Sequence, residues 1–159
     1  MNGLHALLSP SGSSKWVPCP GSVAMELDEP NEGSVYSDEG TAAHALAAEC
    51  LTTGTHPATH VGRVLMVVGG VYYDKDVPPP AGSVTRLFAV DTEFAGHVNT
   101  YIQHVKEYAG KSELLVEQQV GIEHITGEDG ATGTSDTICF VDDGDEIQVH
   151  DLKFGMGKK

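Results

Sequence analysis

The chain has 159 residues, 40% of them apolar and 20% charged, a length and balance that fit one globular domain and exclude a disordered segment. Nine Lys and Arg against 23 Asp and Glu give a formal charge of −14, which excludes a protein that coats nucleic acid by bulk electrostatics. Cys19, Cys50 and Cys139 contain no Cys-x-x-Cys pair, are too few for a four-cysteine zinc site, and read as reduced, mostly buried thiols.

Nineteen glycines and eight prolines announce generous loops. Between Ser9 and Glu26, Pro10, Gly12, Pro18, Pro20 and Gly21 leave room only for short helical turns over 13–17 and 21–27, with Trp16 as the anchor. Residues 28–36 read as a loop. A strong helix follows, with Ser37 as cap, Asp38 and Glu39 in the first turn, Ala43, Leu46, Ala47, Cys50 and Leu51 at helical spacing, and Gly54 as stop. Residues 63–68 and 71–77 flank Gly69-Gly70 as a hairpin, ended by Pro78 to Pro80. A second helix is expected from about Val90 to Ala109, on a face of Phe94, Val98, Tyr101, Val105 and Tyr108.

Strand periodicity then takes over across 114–122, 132–141 and 146–154, the last two joined by the turn Asp142-Asp143-Gly144-Asp145. Helices followed by a three-stranded meander give an α+β (mixed α/β) expectation for a single domain over residues 1–159. No apolar run approaches 18 residues and the start has no basic, apolar leader, so a cytoplasmic protein without a membrane partner is expected.

The chemistry concentrates near the end. In an extended segment Asp151 and Lys153 point to one face and Leu152 to the other, and the hairpin brings Asp136 alongside. Two carboxylates beside an amine suit Mg²⁺ or Mn²⁺, hard cations that take oxygen ligands and keep waters for phosphodiester hydrolysis. Asp-x-Lys is also common as a plain surface pair, and only its context favours chemistry. Other motifs fail: Gly155 to Lys159 lacks the first glycine and the Ser/Thr of a phosphate loop, and His56 and His60 lie in a loop without a His-Glu-x-x-His context.

Gly133-Thr134-Ser135-Asp136-Thr137-Ile138, followed 15 residues on by Val149-His150-Asp151-Leu152-Lys153-Phe154-Gly155, resembles the core of the RecB-like branch of the PD-(D/E)XK nucleases. Glu39-Gly40-Thr41-Ala42-Ala43-His44 resembles that family's helical motif. Leu8-Ser9-Pro10-Ser11 and Trp16 to Ser22 resemble the opening of phage-encoded relatives. The resemblance implies a restriction-endonuclease-like core and a metal-dependent DNA nuclease in phage recombination or DNA processing, in the host cytoplasm. It makes His44, Asp136 and Asp151 metal ligands, with the Leu152 carbonyl a further one. Asp136, Asp151 and Lys153 become catalytic, and Mg²⁺ or Mn²⁺ the cofactor. Glu117, on the preceding strand, is either near the metal or a solvent-facing strand residue, and Glu39 reads as a helix-start acid.

The family's core continues past Asp-x-Lys into a helix and further strands, so the expectation is an incomplete domain, inactive alone: either a truncated product or a relative that needs a completing partner subunit. Some relatives hold an iron–sulfur cluster on one early and three late cysteines; with no late trio here, no cluster is expected. The competing expectation is a non-catalytic acidic binding protein that uses the same scaffold to engage a protein partner, such as a recombination protein.

Overall fold

Ser34 opens the main helix by accepting a hydrogen bond from the Ser37 N–H, and Gly54 closes it in the left-handed conformation (φ 72°). The computed structural model describes residues 6–27, 33–73, 84–141 and 144–155. In chain order the elements are α1 (Ser13–Trp16), α2 (Gly21–Glu26), α3 (Val35–Thr53), β1 (Val64–Val68), β2 (Val71–Tyr73), β3 (Thr85–Ala89), α4 (Thr92–Ala109), β4 (Leu114–Gly121), α5 (Glu123–Thr126), β5 (Thr132–Val141) and β6 (Glu146–His150). Single 3₁₀ turns occupy Pro10–Gly12 and Pro57–His60. The fold is mixed α+β, with two three-stranded antiparallel sheets ordered β2-β1-β3 and β4-β5-β6. No helix among the described residues is long and apolar enough to cross a membrane.

The chain divides into two compact units. One comprises residues 32–116 with 136–159, the other residues 1–31 with 117–135. In the larger unit, α3 buries Ala42, Ala43, Leu46, Ala47 and Cys50, and α4 buries Phe94, Ala95, Val98 and Ile102. These residues join Leu65, Val67, Val90 and Leu152 in one core. Each large aliphatic side chain buried there contributes roughly 1.5–3 kcal/mol. Asp91 caps α4, its carboxylate accepting the Phe94 N–H at 2.8 Å.

Gly69 and Gly70 both take positive φ (57° and 81°), as a two-residue hairpin turn requires, and set Val68 opposite Val71. β3 pairs with the other side of β1, Met66 opposite Leu87. Buried Asp38 forms an ion pair with Arg86, which also donates to the Gly33 carbonyl at 3.0 Å, tying the start of α3 to β3. On the second sheet, Thr137 faces His150 and Cys139 faces Gln148. The Tyr101 hydroxyl is 2.9 Å from Thr137 Oγ1 and fixes α4 against this hairpin.

In the smaller unit, the Glu128 carboxylate accepts the N–H groups of Leu7 and Leu8 at 3.0 and 3.2 Å. Half-buried Trp16 donates its indole N–H to the Ser9 carbonyl at 2.8 Å. A Cβ at Gly133 would stand 2.6 Å from Pro10 Cγ, so the glycine of the Gly-Thr-Ser-Asp segment is needed for that proline to pack.

Several expectations need correction. The cap of α3 is Ser34, one turn before Ser37. The last strand ends at His150, so Asp151 to Phe154 follow it as irregular chain. β3 and α5 carry no expectation from the sequence. Cys19 is exposed, whereas Cys50 and Cys139 are buried. The expected strand residues 74–77 and the turn residues Asp142 and Asp143 lie outside the described residues.

Candidate metal centre

His44 lies on α3 two residues before Leu46, one step off the buried stripe, which leaves its side chain 31% exposed at the rim of the core. Its Nδ1 is 3.1 Å from Asp136 Oδ1 on β5. The other carboxylate oxygen, Oδ2, accepts the Leu152 N–H at 2.5 Å. Leu152 is itself buried in the core, so its main chain is held where it can donate. Three segments distant in sequence thus converge on one carboxylate: α3, β5 and the chain leaving β6.

Burial alone would raise the Asp136 carboxyl. The hydrogen bonds from His44 and from the Leu152 N–H, joined by the charges of His44 and Lys153, outweigh it and hold the group below its ordinary value. Asp136 is therefore an anion at neutral pH. A nitrogen and an oxygen 3.1 Å apart suit adjacent positions around a hard divalent ion, because ligands at about 2.1 Å on perpendicular axes stand about 3 Å apart. The donor pair fits such a cation.

Asp151 and Lys153 are placed differently. Their side chains, 57% and 82% exposed, meet each other at 2.5 Å. Leu152 points the opposite way into the core, so the alternation along this segment holds although the strand has ended. Among the described residues Asp151 does not join the donor cluster that contains His44 and Asp136. Leu152 contacts Asp136 through its N–H, not its carbonyl. Glu117 falls in the smaller unit, exposed, with a left-handed φ of 50° that is unusual for a residue with a Cβ.

Beside Leu152 and Lys153 opens a cleft of about 910 Å³, bordered by the start of α3, β3, α4 as far as His104 and the segment to Gly155. Glu39 lines it, and a Cβ on Gly155 would lie 3.6 Å from Glu39 Oε2. Sequence reasoning gave Glu39 only a helix-start role; segments distant in sequence build the cleft around it, so no local pattern marked it. Phe154 packs against Phe94 with ring centroids 4.7 Å apart and planes tilted by 47°, and meets His97 edge-on at 6.0 Å. Further along α4, His104 and Tyr108 gather around His150 of β6, whose imidazole is pushed down by burial and by the neighbouring His104. Burial raises the thiols of Cys50 and Cys139, which makes them inert core groups.

A family profile described as "Protein of unknown function (DUF2800)" matches residues 5–159. The chain belongs to the DUF2800 family. No solved structure matches this DUF2800 chain.

Proposed function

We propose that this DUF2800 chain carries the metal centre of a PD-(D/E)XK-type nuclease, a restriction-endonuclease-like core that hydrolyses DNA phosphodiesters in phage recombination or DNA processing. The observation that carries the reading is the approach of His44 Nδ1 to Asp136 Oδ1, with Oδ2 held by the Leu152 N–H. These are groups that the RecB-like resemblance joins at one ion. Mg²⁺ or Mn²⁺ is the cofactor, and the imidazole favours Mn²⁺. When bound, the cation supplies a Lewis acid and a water of lowered pKa.

The chain's own residues do the remainder. Asp136 stays ionised and is aimed by the Leu152 amide. His44 and Asp136 would hold the cation, and Asp151 would be available as a further ligand, because its exposed ion pair with Lys153 contributes less than about 1 kcal/mol. Lys153, released, donates a proton or a charge-assisted hydrogen bond to the scissile phosphate. DNA is the substrate in this proposal.

Calorimetric titration with Mn²⁺ and an oligonucleotide cleavage assay test it. His44→Ala and Asp136→Asn should remove metal binding, and Lys153→Ala should keep metal binding while losing cleavage. Cleavage at the parent rate by both Asp136→Asn and Lys153→Ala would sink the assignment. The second reading is a non-catalytic acidic binding protein. It is favoured by the mutual neutralisation of Asp151 and Lys153 and by the charge of −14, and it is the one left standing if the parent protein binds no divalent ion.

A further inference from the structure

The cleft beside Lys153 has a composition that the nuclease proposal does not use. Its carboxylates are Glu39, half-buried and turned toward Gly155, and Glu93, exposed at the start of α4 with His97 3.7 Å away. Asp91, also on the rim, is committed to its capping bond. The one lysine lining the cleft, Lys153, is matched by Asp151. The lining therefore carries net negative charge, on a chain already at −14. With no divalent ion bound, a phosphodiester strand would be repelled there; a cationic ligand would be drawn in.

The rest of the lining is apolar and includes an open strand. Tyr36 and Leu87 are 61% and 65% exposed, and half-buried Phe154 also lines the cleft. Leu87 and Phe88 belong to β3, the edge strand of the β2-β1-β3 sheet. Pairing with β1 uses one side of β3, and the main-chain groups on its other side have no strand partner among the described residues. An edge strand of this kind is a template for an extended peptide, which gains main-chain hydrogen bonds from the edge and selectivity from alternate side chains.

We infer that the cleft binds a basic, extended segment of a protein partner. It pairs along β3, seats apolar side chains against Tyr36, Leu87 and Phe154, and places Lys or Arg at Glu39 and Glu93. An aliphatic stem ending in a cation is the side chain that satisfies both an aromatic wall and a carboxylate. This inference stands apart from the metal centre: it needs neither a cation nor Asp136.

The test is fluorescence anisotropy of the full chain, in chelator-treated buffer without divalent ions, with a labelled peptide alternating Arg and Leu, compared with its Glu/Leu counterpart and with a single-stranded oligonucleotide. The Arg/Leu peptide should bind, the Glu/Leu peptide should not, and added salt should weaken the complex. Glu39→Gln combined with Glu93→Gln should weaken binding by about fivefold or more. Leu87→Pro, which removes an outward N–H from the edge, should weaken it further. Asp136→Asn should bind the peptide as the parent does, which separates this result from the fate of the metal proposal. Binding of the oligonucleotide in preference to the Arg/Leu peptide, equal binding of both peptides, or parent-like affinity in the double Gln variant would each overturn the inference.

Discussion

Two carboxylates stand 15 residues apart in the same hairpin region, each beside a basic side chain, and they behave differently. Asp136 is 15% exposed, takes hydrogen bonds at both oxygens, and is held below the ordinary carboxylate range. Asp151 is 57% exposed and touches one lysine that is itself 82% exposed. The chemistry of the groups is the same; the dielectric around them and the number of fixed donors are not. A fixed amide and a fixed imidazole are already in place before any ligand arrives. A solvated lysine must be immobilised, at a cost in side-chain entropy that cancels most of its attraction.

The contrast is broken most sharply at Asp136. Asp136→Ala removes the acceptor for the Leu152 N–H, and urea unfolding should record a loss of about 1–3 kcal/mol. A loss near zero would mean that water replaces the carboxylate and that the site is not organised as described.

Acid titration sharpens the comparison next. The folded carboxyl lies below its unfolded value, so the stability Asp136 contributes is present above the ordinary carboxylate range. It is lost as the pH falls through the lower folded value. In Asp136→Asn that segment of the pH–stability curve should flatten. The His150 contribution has the same sign in a higher window: with the imidazole pushed down by burial and by His104, stability should already fall as the pH drops below the ordinary histidine range. His150→Gln should remove that slope while leaving the acid one.

The smallest effect belongs to the exposed pair. Asp151→Ala or Lys153→Ala should change stability by less than about 0.5 kcal/mol, and less still in high salt. A larger loss at either position would show that the pair is structural, and the contrast with Asp136 would disappear.

Much of the frame was legible. The Gly69-Gly70 turn, the stop at Gly54 and the apolar stripes of α3 and α4 follow from local rules, since turn chemistry and helical spacing are properties of neighbouring residues. Ser34 and Ser37 illustrate the limit: a serine at either position can cap, and the choice of Ser34 depends on where the chain enters the first turn. β3 was not legible because Thr85 to Ala89 alternates only weakly; it is a strand because β1 offers a free edge in register. The pairing of Pro10 with Gly133 gives a physical reason why an N-terminal segment and a strand glycine belong together, a link that spacing alone could not supply.

By itself the sequence determined the alternation at Asp151-Leu152-Lys153, because the geometry of an extended chain sends neighbouring side chains to opposite sides whatever surrounds them. It also determined the chain's negative charge and the two long helices. Only the tertiary structure decided that Asp136 keeps the buried contacts while Asp151 faces water. That outcome depends on Leu152 sinking into the core between α3 and α4, which pulls its N–H onto the Asp136 carboxylate and turns the residues on either side outward.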